Sequence, residues 1–280
     1  MLEPLQVQTI LRNYGLKPQK GLGQNFLVDD GYLQKIVEAS RVNREDTVLE
    51  IGAGLGSLTR YLASAAVSVI AVEIDGRLFP ALKNVLSPFS NVRLIQGDIM
   101  EITPADLGLK EGYKVVANIP YYLTSNLMRR LMEAKVKPSL VALTIQKKIA
   151  QRICAEAGDL SQMALSVQVY GRPHIAFYIP KGAFYPVPRV DSAALIVELY
   201  PQPLIPQPRL ETFFLLMQAG FSQKRKMLHN ALAGSLDLNH QEIMALLAES
   251  GIKPERRAQT LSIREWDALA KCYGEMRSKK

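Results

Sequence analysis

The sequence predicts an α/β fold with a mostly parallel sheet, followed by a small all-helical domain. Three observations carry this prediction. Short β-rich runs alternate with helical stretches between residues 47 and 145, four prolines fall between residues 201 and 208, and the apolar period beyond them is helical. Strands that alternate with helices form βαβ units, whose strands pair in parallel.

Two amphipathic helices are predicted before the sheet. Apolar residues recur at helical spacing over residues 7–14 and again over 33–37. Asp29 or Asp30 is placed to cap the second helix, because a carboxylate accepts the free N–H groups of a first turn.

Seven runs are predicted to be strands, two of them late additions to a sheet edge. They cover residues 47–51, 68–72, 92–96, 114–117, 140–145, 164–170 and 192–199. Residues 78–86 carry the apolar face of one crossover helix.

The proline-rich stretch predicts a domain boundary, because such a density of proline is incompatible with a helix or a central strand. We therefore predict a larger domain over residues 1–200 and a small helical domain over 201–280. In the small domain, Ser262 and Glu265 are spaced as a capping box.

Composition excludes several protein classes. The chain is 48% hydrophobic and 21% charged, which is typical of a folded globular protein and not of a disordered or fibrous one. Its formal charge is +8, and residues 201–280 hold 12 basic against 8 acidic side chains. Such a positive surface favours polyanionic partners. The alternative is that the excess charge serves only solubility, and the motifs below decide between the two.

The cysteine pattern and the N-terminus favour a cytoplasmic protein. Cys154 and Cys272 are too few and too far apart for a secreted disulfide framework. Residues 1–12 lack the features of a signal peptide, and no apolar run is long enough for a membrane span. The three histidines show no metal-ligand spacing, so we expect no metal.

A Gly-rich turn follows the first strand of the sheet. Gly52, Gly54 and Gly56 join it to a helix, which lets backbone approach a ligand, although a merely tight connection is the alternative. Ser57 stands where a dinucleotide-binding motif would need its third glycine. The turn therefore predicts a small ligand other than a dinucleotide.

Acids end the next two strands. Glu73 is placed to accept the hydroxyls of a ribose and Asp98 to accept an adenine amine, with Ile74 and Ile99 flanking the ring. Each acid alone is better explained as a helix cap or a solvated charge. Together with the turn, they favour adenosine without pyrophosphate, and thus S-adenosylmethionine.

Further motifs resemble those of the ribosomal RNA adenine dimethyltransferase family. They are Gly23-Gln-Asn-Phe-Leu27, Glu50-Ile-Gly-Ala-Gly54, Asn118-Ile-Pro-Tyr121, Phe184-Tyr-Pro-Val-Pro-Arg-Val-Asp-Ser192 and Phe221-Ser-Gln-Lys-Arg-Lys226. The resemblance extends from about residue 19 to the C-terminal helices. Tyr122, where the family commonly has Asn, and Lys148, where an acid is common, depart from the pattern.

The resemblance implies a Rossmann-like, S-adenosylmethionine-dependent methyltransferase fold with a seven-stranded sheet. It also implies dimethylation of N6 on two adjacent adenosines in a hairpin of small-subunit ribosomal RNA. Asn118 and the carbonyl of Ile119 or Pro120 would hold the target amine, and Tyr121 would stack on the base. Phe184 is placed for the base's other face or for the core. Asn25 and Leu27 would contact the cofactor, with Glu50 acting near its amino group.

Two basic clusters are candidates for RNA phosphates, or else solvated surface. They are Lys147, Lys148 and Arg152, and Lys224, Arg225 and Lys226. We expect a monomer that acts on an immature ribosomal subunit. Two alternatives stay open: a methyltransferase for large-subunit RNA, and a non-catalytic assembly factor on the same fold.

Overall fold

The computed structural model describes residues 2–119, 124–223 and 225–278. By contacts the chain forms two compact units, residues 1–150 with 173–199 and residues 151–172 with 200–280. Residues 151–172 thus group with the helical unit, although the predicted boundary at residue 200 places them in the larger domain. The boundary at residue 200 stays a prediction that residues 1–200 and 201–280 are separate domains.

Within the described residues, nine strands form two sheets. They are β1 (Phe26–Leu27), β2 (Thr47–Ile51), β3 (Ser68–Glu73), β4 (Val92–Gln96), β5 (Lys114–Asn118), β6 (Leu140–Gln146), β7 (Gly171–Ile179), β8 (Phe184–Tyr185) and β9 (Ser192–Leu199). The main sheet has the order β4-β3-β2-β5-β6-β9-β7, and β1 pairs with β8 in a separate ribbon.

Five strands of the main sheet are parallel, and β9 is antiparallel to β6. The strand order reverses between β2 and β5, and at such a reversal the carboxyl ends of the strands open a crevice. Val48 and Leu49 on β2 are fully buried, as strands covered on both faces require. The predicted mostly parallel sheet is confirmed.

Among its described residues, the first unit contains the starts of these α-helices: α1 (Val7–Asn13), α2 (Asp30–Ala39), α3 (Ser57–Ala65), α4 (Phe79–Leu86), α5 (Thr124–Glu133) and α6 (Lys147–Ile153). Asp29 caps α2 by accepting the backbone N–H of Tyr32. Helix α3 begins directly after the Gly-rich turn and buries most of its residues, so it fixes the turn firmly against the sheet.

The second unit is helical, as predicted. Its helices are α7 (Gln162–Gln168), α8 (Gln207–Phe221), α9 (Leu228–Ala233), α10 (His240–Glu249) and α11 (Ile263–Ser278). Trp266 is fully buried, and its ring lies 6.0 Å from that of Phe221. Ser262 and Glu265 exchange the predicted capping-box hydrogen bonds.

The predicted strand over residues 164–170 is wrong. These residues lie largely in α7, which the Ser161 side chain caps by accepting the N–H of Ala164. The seventh strand is β7, which begins at Gly171. It contains Pro173, and proline is tolerated there because β7 is an edge strand.

Candidate functional site

A cavity of about 210 Å³ lies in the first unit, at the carboxyl ends of β2 to β5. It brings together six of the predicted site residues. They are Asn25, Gly52, Gly54, Glu73, Asp98 and Asn118, and Ile74, Ile99 and Ile119 line the cavity beside them. The reversal of strand order between β2 and β5 explains why residues so distant in sequence meet here.

The Gly-rich turn forms the floor of this cavity. Gly52, Gly54 and Gly56 all have positive φ, a conformation that side chains disfavour. A Cβ on Gly54 would lie 3.0 Å from the Phe26 ring, and one on Gly52 would lie 3.5 Å from the Asn118 carbonyl oxygen. Bare backbone therefore faces the cavity where a side chain would fill it.

Glu73 is a buried carboxylate held by backbone N–H groups. Its Oε2 accepts from Gly54 at 2.7 Å and its Oε1 from Asp75 at 2.8 Å. Burial raises the pKa of Glu73 above its usual value, although these two donors act against that rise. Each oxygen keeps a further lone pair, and Glu73 lines the cavity.

Asp98 both shapes its turn and faces the cavity. Its Oδ1 accepts the N–H of Met100 at 2.8 Å, the local capping role that its position equally allowed. Asp98 still belongs to the lining of the cavity, as do the buried Ile99 and the half-exposed Ile74. The capping and ligand-binding interpretations are thus compatible.

Asn118 is the last residue of β5, and a hydrogen bond to Asn25 orients its side-chain amide. Its Nδ2 donates to the carbonyl oxygen of Asn25 at 3.1 Å. Within the described residues no donor reaches Oδ1. Because Nδ2 is turned toward Asn25, Oδ1 is the acceptor that this side chain offers to a ligand.

Residues 19–25, which we call the arm, supply one wall of the cavity. The Gln24 side chain donates to Asp75 Oδ2 at 2.9 Å and accepts the N–H of Gln19 at 2.8 Å. Arg77 and Gln24 lower the pKa of Asp75, so it is a charged acceptor for the arm. The sequence alone does not indicate a role for Gln24, because nothing in its spacing points to Asp75, 51 residues away.

Glu50 lies beside a second, smaller cavity of about 30 Å³ that Asn118, Gly52 and Gly54 also line. It is 1% exposed, and its Oε2 has no hydrogen-bond partner among the described residues. Burial raises the pKa of Glu50 to about 8, and the charge of Glu73 adds to the rise. Burial therefore favours the protonated form of Glu50 in the folded protein.

Two predicted site residues, Phe184 and Leu27, do not belong to the described lining of the main cavity. Phe184 is 2% exposed and packs in the hydrophobic cluster that includes Leu27, so this structure favours the core interpretation over base stacking. Leu27 lines only the smaller cavity and pairs with Phe184 across the β1–β8 ribbon. Their shared role is to anchor the end of the arm.

Three predicted residues, Pro120, Tyr121 and Lys224, lie outside the described residues, as does Tyr122. The other predicted cations are on the surface. Lys148, Arg225 and Lys226 are exposed, and Lys147 is half-buried with its Nζ 4.7 Å from the centre of the Tyr178 ring.

The charge of the main cavity limits what it can bind. Its lining includes the carboxylates of Glu73 and Asp98, while no Lys or Arg belongs to the described lining. A pyrophosphate would find no cation there, whereas a positively charged ligand with a ribose and a flat base matches the acids and the isoleucines. Nowhere in the described ranges do three or more metal-ligating side chains cluster.

Comparison with known proteins gives consistent matches. The model of the family described as ribosomal RNA adenine dimethylase matches residues 15–274. A ribosomal RNA small subunit methyltransferase A of Dehalococcoides mccartyi is 45% identical over 272 residues, covering 96% of this chain and 93% of that protein. The protein of the same name from Moorella thermoacetica is 39% identical over 279 residues, covering 96% of each.

Solved structures show the same fold. The dimethyladenosine transferase from Plasmodium falciparum superposes with a TM-score of 0.76 at 24% identity, covering 88% of this chain and 96% of that one. The 23S rRNA methyltransferase ErmE gives a TM-score of 0.71 at 25% identity, and the match covers 88% of this chain and 98% of that one. The predicted Rossmann-like methyltransferase sheet with a C-terminal helical region is thereby confirmed.

Proposed function

The chain belongs to the ribosomal RNA adenine dimethylase family, and from this premise we infer that it dimethylates the exocyclic N6 of adenosines in small-subunit ribosomal RNA. The single observation that best supports this chemistry is the orientation of Asn118. Its amide hydrogens face Asn25, so its oxygen is available to a substrate amine.

We propose that S-adenosylmethionine is the methyl donor and that it binds in the main cavity. When bound, it supplies a methyl group on a positively charged sulfur. Glu73 would hold its ribose hydroxyls and Asp98 its adenine amine, with Ile74 and Ile99 against the ring. The bare backbone at Gly52 and Gly54 leaves room for its methionine part, and Asn25 lines the same wall.

The substrate amine is a poor nucleophile, because its lone pair is delocalised into the adenine ring. Asn118 Oδ1 would accept one N–H of this amine, and the carbonyl of Ile119 or Pro120 would accept the other. Two acceptors placed out of the ring plane favour a pyramidal nitrogen and free its lone pair for attack. The chain's main contribution to rate is therefore positioning, which alone supplies large accelerations.

The target base must leave its stack to reach Asn118, since a paired adenine hides its amine. We propose that Tyr121 then stacks on it, an interaction that contributes roughly 1–3 kcal/mol per base. The burial of Phe184 leaves Tyr121 as our candidate for this role.

The finer identity of the substrate is also part of the proposal. We propose two adjacent adenosines in a hairpin near the 3′ end of 16S RNA, presented in an immature subunit to a monomeric enzyme in the cytoplasm. Lys147, Lys148, Arg225 and Lys226 would contact its phosphates. Large-subunit RNA is the second candidate substrate, because the chain also resembles ErmE. It ranks second because ErmE is 25% identical to this chain, whereas the small-subunit relative from Dehalococcoides mccartyi is 45% identical.

The test supplies labelled S-adenosylmethionine with three acceptors in parallel: naked small-subunit RNA, immature small subunits, and large-subunit RNA. Modified nucleotides are then mapped by mass spectrometry. We expect N6,N6-dimethyladenosine at two neighbouring positions of small-subunit RNA only. Label in large-subunit RNA would favour the second candidate, and label in none of the three would favour a non-catalytic assembly factor.

A further inference from the structure

We propose that Tyr178 is a stacking platform for a nucleotide next to the target adenosine, with Lys147 beside it. This inference rests on the proposed function, because it assigns a binding surface for the same RNA. We call the surface the edge patch and define it as Lys147, Tyr178, Lys181, Val187, Arg189 and Val190. All six residues lie in the first unit.

The edge patch exposes apolar surface that the fold leaves uncovered. Tyr178, Val187 and Val190 are 47%, 60% and 42% exposed. On β7, Tyr178 lies on the exposed side of the alternating pattern, whereas the ring centre of its neighbour Phe177 lies 6.1 Å from that of Tyr32. The fold therefore does not need the Tyr178 ring for its own core.

The patch is held in a defined arrangement. The Lys147 Nζ lies 4.7 Å from the centre of the Tyr178 ring, a cation–π contact. Asp191 ties the neighbouring segments together, because its carbonyl accepts the N–H of Lys147 at 3.0 Å and its Oδ1 accepts that of Lys181 at 3.0 Å. A ring held in place loses little freedom when a base stacks on it.

Lys147, at one side of the patch, follows the strand that pairs with β5 at the proposed reacting group. Thr144 of β6 is paired with Asn118 of β5, and Lys147 follows three residues later. At the rise of a strand, this places Lys147 roughly 10 Å along the chain from that pairing. Beyond β7, the chain runs through β8, which pairs with β1 at the cavity wall.

Its charge favours single-stranded RNA over a protein partner. Lys147, Lys181 and Arg189 form no ion pair with the described acids. Asp191 is the acid of the segment 180–192, and its Oδ1 accepts the backbone N–H of Lys181. Exposed aromatic rings among unpaired cations are typical of surfaces that bind single strands through stacking and phosphate contact.

The test uses a Tyr178→Trp variant and a transcript of the target hairpin. Trp266, the chain's natural tryptophan, is fully buried, so wild type supplies the background fluorescence. Binding is followed separately by the anisotropy of labelled RNA. We expect quenching of the Tyr178→Trp signal at saturating RNA that wild type does not show. Absence of that quenching at saturation would overturn the proposal.

Affinity provides the second readout. Tyr178→Ala should bind the same transcript roughly 5- to 150-fold more weakly, the range that the loss of one stacked base predicts. Tyr178→Phe, which keeps the ring, should stay within about twofold of wild type. Tyr14→Ala is the matched control, because Tyr14 is also exposed, at 40%, on another part of the surface.

The outcomes separate this inference from the proposed function. If wild type methylates small-subunit RNA and Tyr178→Ala binds and reacts like wild type, the platform is refuted and the function stands. If Tyr178→Ala impairs only the reaction with assembled subunits and not binding to the transcript, the patch contacts a ribosomal protein, and the platform is again refuted. If wild type methylates no ribosomal RNA, the proposed function itself fails.

Discussion

Asn118 illustrates how a single side chain acquires its chemistry from distant residues. The sequence places it at a strand end, beside Glu73 and Asp98 on neighbouring strands, and parallel pairing makes their convergence predictable. Its orientation was not predictable, because the Asn25 carbonyl that fixes it lies 93 residues away. Nor was the burial of Phe184, whose motif is compatible with either role.

The raised pKa of Glu50 makes the free energy of unfolding depend on pH. Its folded pKa of about 8 lies above the ordinary 4.5, so the folded state binds this proton more tightly than the unfolded state. The resulting stability is fully present below pH 4.5 and is lost as pH rises toward 8, at roughly 1.4 kcal/mol per pH unit within that window.

The measurement compares the free energy of unfolding of wild type and Glu50→Gln between pH 5.5 and 8.5, without methyl donor. Glutamine keeps the shape and cannot titrate, so the decline assigned to Glu50 should disappear in the variant. Equal slopes for the two proteins would show that Glu50 is not protonated when folded.

At the scale of elements, the arm links the cavity wall to the sheet. Its contacts join residues 51 and 93 positions apart, from Gln24 to Asp75 and from Asn25 to Asn118. Strand ends and the Gly-rich turn were predictable from local patterns, but such side-chain contacts have no local signal. The strand predicted over residues 164–170 failed for a related reason, since a short apolar run does not distinguish a buried helix from a strand.

The contacts of the arm imply that Gln24→Ala weakens the binding of S-adenosylmethionine. This change removes the hydrogen bonds to Asp75 and Gln19, each worth roughly 0.5–1.5 kcal/mol, and loosens the wall of the cavity. We expect the affinity for S-adenosylmethionine to fall by about tenfold in calorimetry. Gln8→Ala, at an exposed position of α1, is the control and should bind normally. Unchanged affinity in Gln24→Ala would separate the arm from donor binding.

At the scale of the whole molecule, the net charge predicts that the partner is a polyanion. A net charge of +8, densest beyond residue 200, favours a polyanion. The division into two domains at the proline-rich stretch stays a prediction from the sequence. The grouping of residues 151–172 with the helical unit was not predictable, because it depends on packing between segments far apart in sequence, such as Gly158 and Leu160 against Gln259.

The excess charge predicts how RNA affinity responds to salt. Arg225 and Lys226 are exposed, and each phosphate contact adds about one to the slope of log affinity against log salt concentration. Arg225→Ala and Lys226→Ala should each lower that slope by about one for the hairpin transcript. Lys253→Ala, an exposed cation of the same unit, should leave it unchanged. If all three variants keep the wild-type slope, the cluster makes no phosphate contact.

The most direct test of the account is the single-turnover rate of methyl transfer by Asn118→Ala, with S-adenosylmethionine and immature small subunits both saturating. If Asn118 Oδ1 holds the reacting amine, the rate should fall by a factor on the order of 10²–10³, the usual effect of losing one hydrogen bond made to the transition state. Transfer at a rate close to that of wild type would contradict the assignment of the amine to Asn118.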